Sequence, residues 1–108
     1  MKQYELRYLM LPNGEIPYSE WLKTLDKTIQ NRIRKRLMRL EEGNFGDCKK
    51  LINSELSEIR FDFGKGYRVY HIMEGKTIVL IISGGDKSTQ AKEINIAEKY
   101  IKLLKNAK

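Results

Sequence analysis

The sequence predicts an α+β fold in the order β-α-α-β-β-β-α, with an antiparallel sheet built from consecutive hairpins. Three observations predict it. Apolar residues recur at three- and four-residue steps in two long segments, Ile29 to Leu40 and Ile94 to Leu104. The stretch from Glu55 to Ser83 has period two instead, and it is broken twice by short glycine turns, "GKG" and "EGK". At 108 residues the chain has room for one modest core, so a single domain over residues 1–108 is expected.

Each element has its own justification. "KQYELRYL" sets Tyr4, Leu6 and Tyr8 against charged neighbours, the period of a half-buried strand. "PNGEIP" supplies turn residues, after which Ser19 is the expected cap of a short helix carrying Trp21, Leu22 and Leu25. Asp26 is the expected cap of a second helix, with Ile29, Ile33, Leu37 and Leu40 on one face and Arg32, Lys35, Arg36 and Arg39 on an adjacent stripe. "EEGNFG" ends that helix, because Gly43 and Asn44 tolerate a left-handed backbone. A connecting stretch with Cys48, Lys49 and Lys50 follows.

Then "ELSEIRFDF", "GYRVYHIM" and "TIVLIIS" read as three strands. The third is apolar on both sides and belongs inside the sheet rather than at its edge. If Gly64 to Gly66 form a three-residue loop, Phe63 pairs with Tyr67, Phe61 with Val69 and Ile59 with His71 on an apolar face. Arg60, Asp62, Arg68 and Tyr70 then share the opposite, exposed face. "SGGDKSTQ" reads as a glycine-rich turn, with Ser88 or Thr89 capping a last helix that buries Ile94, Ala97, Ile101 and Leu104.

Composition narrows the function. A net charge of +7 favours a polyanionic partner, nucleic acid or an acidic protein segment. The excess is local: eight Lys/Arg between Lys27 and Lys50 stand against Glu41, Glu42 and Asp47, a balance of +5. A solvated helix face is the plainer explanation of that run. One cysteine and one histidine exclude an internal disulfide and a Cys/His zinc cluster, and no tight carboxylate pattern calls for magnesium, so no metal or cofactor is expected. Neither a membrane-spanning run nor a signal-peptide core is present, which places the expected location in the cytoplasm.

The turn before the last helix fails as a nucleotide loop. A Walker loop needs glycine directly before its lysine, and Asp86 precedes Lys87, while an isoleucine stands where the first glycine belongs. A lysine and a hydroxyl at a helix N-terminus still suit an anion; an ordinary capped turn suits the same residues. For phosphodiester chemistry, His71 is the only histidine base available, and the hairpin pattern points it into the core. Arg60, Arg68, Lys87, Tyr70 and Asp62 offer the alternatives: cations for a developing phosphorane charge, a phenol or a carboxylate for the proton. Sheet arginines paired with a carboxylate such as Asp62 or Glu58 are the structural reading of the same residues. Tyr67, Tyr70 and Tyr100 are the expected base-contacting aromatics, whereas Trp21, Tyr4 and Tyr8 suit the core.

Taken together, "EWLKTLD", "RIRKRLMRLEEGNFGDCKKL", "SEIRFDFGKGYRVYHI" and "IVLIISGGDKSTQAKEINIA" resemble the HigB-like addiction-module killer proteins of the RelE/ParE toxin superfamily. The resemblance runs from about Tyr4 to Tyr100. It departs at Glu93, where that branch usually has Asp, and in "INSEL", which lacks an expected glycine. It implies a RelE-like sheet packed by two N-terminal helices with a C-terminal helix, in the toxin of a type II toxin-antitoxin system. The implied partners are a cognate antitoxin of helix-turn-helix type, the ribosome and mRNA, with no membrane.

The implied activity is metal-independent, ribosome-dependent mRNA cleavage through the 2′-hydroxyl. Arg60, Arg68 and Lys87 would hold the scissile phosphate and Tyr70, or else Asp62 or His71, would assist proton transfer. Arg32, Lys35, Arg36, Arg39, Lys49 and Lys50 would grip RNA, and Gln90 is grouped with them as part of the "GGDKSTQ" block, with no individual role. The ParE relatives act differently, so a DNA gyrase inhibitor and a non-catalytic nucleic-acid-binding domain stand as alternatives.

Overall fold

The structure is a computed structural model that describes residues 2–106. Eight elements follow in order: β1 (Glu5–Tyr8), α1 (Pro17–Leu22), α2 (Lys27–Met38), β2 (Cys48–Lys50), β3 (Ser57–Arg60), β4 (Tyr67–Glu74), β5 (Ile78–Asp86) and α3 (Gln90–Asn106). The strands form one five-stranded sheet in the order β1-β5-β4-β3-β2. All neighbours are antiparallel except β1 and β5, which run parallel. As expected from its two apolar faces, β5 has a partner on each side.

Two cores lie on opposite faces of the sheet. On one face, α1, α2 and the 3-10 turn Arg39–Glu42 that follows it bring Tyr18, Leu22, Ile33, Leu37 and Leu40 against Ile59, Val69, Val79 and Ile81, among others. Truncating any one of the fully buried leucines to Ala removes about 2–5 kcal/mol of stability. On the other face, α3 sets Ala97 and Ile101 against Leu56, Tyr70, Ile72, Leu80 and Ile82. The helical periods read from the sequence therefore select the buried stripes correctly, with Ile29, Ile94 and Leu104 partly buried at their margins.

Several expectations are corrected. The stretch at Cys48 to Lys50 is a strand, β2, pairing with β3 from Cys48↔Ile59 to Lys50↔Ser57. Three residues with two lysines carry no readable period, and only the open edge of β3 makes them a strand. The β3–β4 register lies two residues from the expected one: Ile59 pairs with Val69, Arg60 with Arg68, Glu58 with Tyr70 and Ser57 with His71. The connection is longer than three residues and turns through positive φ at Gly64 and Gly66. Because side chains alternate with period two, a shift of two leaves every residue on its expected face. That face is not open along its whole length, however, since α3 covers part of it.

The segment "SGGD" is strand rather than turn, the last four residues of β5. Its glycines make room. A Cβ on Gly84 would stand 2.3 Å from the Trp21 ring, and one on Gly85 would stand 2.7 Å from Glu93 Cγ. Both helix layers thus press onto the same end of β5. A bulge between the Tyr70 and His71 pairings shifts the β4–β5 ladder, so that Ser83 opposes Tyr70 while Ile81 opposes His71.

The helix starts also differ from expectation. Pro17 opens α1 as its first residue and Ser19 lies inside the helix, where the fixed φ of proline is tolerated. Asp26 does occupy the cap position of α2, without a side-chain bond to the backbone. Asp86, not Ser88 or Thr89, caps the last helical segment: its carboxylate accepts from Ser88 N–H at 2.9 Å, and Asp86 N–H donates to Thr89 Oγ1 at 3.2 Å. The residue that breaks the nucleotide-loop pattern is the residue that starts the helix.

Candidate functional site

The cross-strand rows place the site. Arg60, Arg68 and Gly85 lie side by side across β3, β4 and β5; the neighbouring row on the same face is Glu58, Tyr70 and Ser83. The first row borders an open groove of about 600 Å³ lined by Arg60, Arg68, Lys65, Lys87, Asp47 and Asp62, with the β3–β4 turn. Four cations against two carboxylates give it a positive balance. The second row lies beneath α3, and both Tyr70 and Glu58 are buried there.

Three sequence-predicted residues, Arg60, Arg68 and Lys87, thus meet in one place. Lys65, at the tip of the "GKG" turn, was missed. It arrives because the turn folds against the start of the last helix, where Lys87 N–H donates to Lys65 O at 3.4 Å. Asp47 was missed as well. Its Oδ1 accepts from Arg60 Nε at 3.0 Å and Nη2 at 2.7 Å, which raises the arginine's affinity for its proton further and aims the guanidinium along the groove wall. The predicted partners for such arginines were Asp62 and Glu58. Arg60 takes Asp47 instead, while Arg68 Nη1 stands 3.6 Å from Glu58 Oε1.

Tyr70 is the main departure. It is fully buried, its hydroxyl has no hydrogen-bond partner among the described residues, and burial pushes the phenol far above its usual range, with Glu58 adding to the effect. The expected exposed face therefore ends at the Arg60–Arg68 row, because α3 covers the next one. Tyr67 is buried in the opposite core, so of the three expected base-contacting tyrosines only Tyr100 is partly open. His71 points into the α2-side core beside Phe45, where burial lowers its pKa to about 4 and holds the imidazole neutral. Cys48 is half-buried, and burial pushes its thiol up, away from a reactive thiolate.

Gln90, the first residue of α3, reaches across the sheet face to donate from Nε2 to Glu58 Oε2 at 2.7 Å. It joins the arginine site from behind rather than lining the groove.

The arginine stripe of α2 borders a second hollow of about 300 Å³, lined by Arg32, Lys35, Arg36, Arg39 and the Phe61–Phe63 segment. That segment is the ridge between the two grooves. Arg32 stacks on the Phe63 ring with its Cζ 3.7 Å from the centroid. Arg36 is committed structurally, donating to Phe45 O at 3.2 Å and Arg60 O at 3.4 Å. Lys35 and Arg39 are exposed. Lys49 and Lys50 are exposed on the edge strand β2 and line neither groove.

Among the described residues, no helix is long and apolar enough to cross a membrane, and no three His, Cys, Asp or Glu residues are grouped to hold a metal ion.

Comparison with known proteins agrees with this architecture. A structure of a mutant of the E. coli toxin RelE in the free state superimposes with a TM-score of 0.62, covering 90% of this chain and 94% of that one at 20% identity. The fold is RelE-like, with its mainly antiparallel sheet and C-terminal helix. An uncharacterized protein of Haemophilus influenzae is 40% identical over 84 residues, which is 77% of this chain and 84% of that protein. The model of the family described as "Phage derived protein Gp49-like" matches residues 20–102, from α1 through most of α3, and the chain belongs to that family.

Proposed function

We propose that the chain is a single-domain toxin of a type II toxin-antitoxin pair, of the HigB-like kind, and that it cleaves ribosome-bound mRNA. The observation that carries this reading is the convergence of Arg60, Arg68 and Lys87, with Lys65, around one open groove on a RelE-like fold. The charge of the groove suits a phosphodiester, and Arg60, Arg68 and Lys87 sit on adjacent strands and a capped helix start.

In this reaction the substrate's 2′-oxygen attacks the adjacent phosphorus and the bond to the 5′-oxygen breaks, leaving a 2′,3′-cyclic phosphate. Arg60, Arg68 and Lys87 stabilise the extra charge on the phosphorane oxygens. Asp62, exposed in the groove, accepts the 2′-hydroxyl proton, a role that buried Tyr70 and His71 are poorly placed to take. A lysine of the groove returns a proton to the leaving oxygen. The chemistry needs no metal, since the cations supply the charge stabilisation. The α2 stripe, with Lys49 and Lys50, holds ribosomal RNA outside the groove, and a bound helix-turn-helix antitoxin keeps the protein inactive.

The test is incubation with programmed ribosomes followed by mapping of mRNA 5′ ends. Cleavage by the wild type is expected, with Arg68→Ala slower by about 10²–10³ and its circular dichroism spectrum nearly unchanged. Intact message at doses that arrest growth would refute the proposal. Inhibition of supercoiling under the same conditions would redirect it to gyrase.

A further inference from the structure

Glu58 is a carboxylate buried to 2% exposure, in the middle of a sheet face that α3 covers. Burying such a group is costly unless specific partners compensate, and among the described residues Glu58 has two, one for each oxygen. Its Oε2 accepts from Gln90 Nε2 at 2.7 Å, and its Oε1 faces Arg68 Nη1 at 3.6 Å. The Arg68 side chain is 14% exposed: most of it is enclosed, and it lines the groove beside Arg60 and Lys87. Arg68 Nε is buried without a hydrogen-bond partner among the described residues, so the guanidinium is held there from one end.

We propose that Gln90 and Glu58 are positioning residues for Arg68. Gln90 fixes the plane of the Glu58 carboxylate by occupying Oε2, which leaves Oε1 aimed at Arg68 and holds the guanidinium at the groove wall. Gln90 can do so because Asp86 caps the turn immediately before it and thereby sets where α3 begins. An arginine without this support loses little charge but gains rotamers, and disorder of that kind lowers the rate at a phosphoryl centre more than it lowers binding. The glutamine of the "GGDKSTQ" block thus acts on the groove through a carboxylate thirty-two residues away in the chain. The proposal rests on the reading of the groove as an RNA-cleaving site.

Two readouts separate it from that reading. The first is a double-mutant cycle on programmed ribosomes with Gln90→Met, Arg68→Ala and the pair. Gln90→Met keeps the length and helix propensity of the side chain while removing its amide. It is expected to lower kcat about tenfold with KM within about twofold, and to have no further effect once Arg68 is alanine. Equal losses in both backgrounds would make Gln90 merely structural and overturn the proposal.

The second readout is the NMR order parameter of the Arg68 Nε–Hε group in the free protein, which needs no activity. It is expected to fall in Gln90→Met; an unchanged value would also overturn the proposal. Wild-type protein that leaves mRNA intact would remove the nuclease reading alone, and the Arg68 signal would then decide the positioning role. If Gln90→Met does not fold, Glu58→Gln repeats both measurements with the same expected outcomes.

Discussion

Acid sensitivity of the fold is predicted to come largely from one side chain. His71 is the only histidine in the sequence, and it is buried between β3 and β5 next to Phe45, with Nδ1 lacking a partner among the described residues. Burial lowers its pKa from the ordinary 6.5 to about 4. Between those values the unfolded chain carries a proton on His71 that the folded chain refuses, so stability rises with pH across this window. The contribution is fully retained above 6.5, falls away as the pH drops toward 4, and stops changing below it.

Between pH 7 and pH 5 the linkage amounts to a loss of about 2 kcal/mol, or roughly 8 °C in Tm for a domain of this size. The assay is urea unfolding followed by circular dichroism at a series of pH values, for the wild type and for His71→Leu. Carboxylates titrate in both proteins, so the difference between the two curves isolates the imidazole. The wild type should lose about 2 kcal/mol more than the variant over this interval. Parallel curves would show that His71 is protonated without penalty in the native state, and the argument from burial would be wrong.

Three further outcomes follow from the geometry. Gly84→Ala should destabilise the fold by about 1–3 kcal/mol or more, since its Cβ would meet the Trp21 ring at 2.3 Å; the urea midpoint checks this. Asp86→Ala removes the cap at the start of the last helix and should cost about 1 kcal/mol in the same assay, although Ser88 and Thr89 remain. Asp47→Asn should leave Tm nearly unchanged, because the pair is solvent-exposed, yet free Arg60 for a ligand phosphate. Its affinity for a short RNA, read by fluorescence anisotropy at low salt, should rise, and a fall would assign Asp47 a direct role in the groove.

Which residues share a face, and which helical stripes are buried, can be read from the order of the amino acids alone. Ile33 and Leu37 on α2, Leu40 in the 3-10 turn that follows it, and Ala97 and Ile101 on α3 are buried as their spacing requires, and Ile59, Val69 and His71 stay on one side of the sheet although the register moved by two. Periodicity is a local property, insensitive to the length of the turn, so these assignments survive the shift. Arg60, Arg68 and Lys87 were legible as candidate site residues for the same reason: two lie on one face of a hairpin and the third opens a helix.

How far that face stays open depends on the packing of α3 across the sheet. The chain carries no local sign that α3 lies over Glu58 and Tyr70, because a helix declares its own buried stripe but not the strand positions beneath it. The pairs that organise the groove are also distant in sequence: Asp47 with Arg60, Glu58 with Arg68, and Gln90 with Glu58. Each depends on strands and helices being brought together by burial of the two cores. Polar side chains have no periodic signature of their own, so their partners were set by where the apolar packing left them.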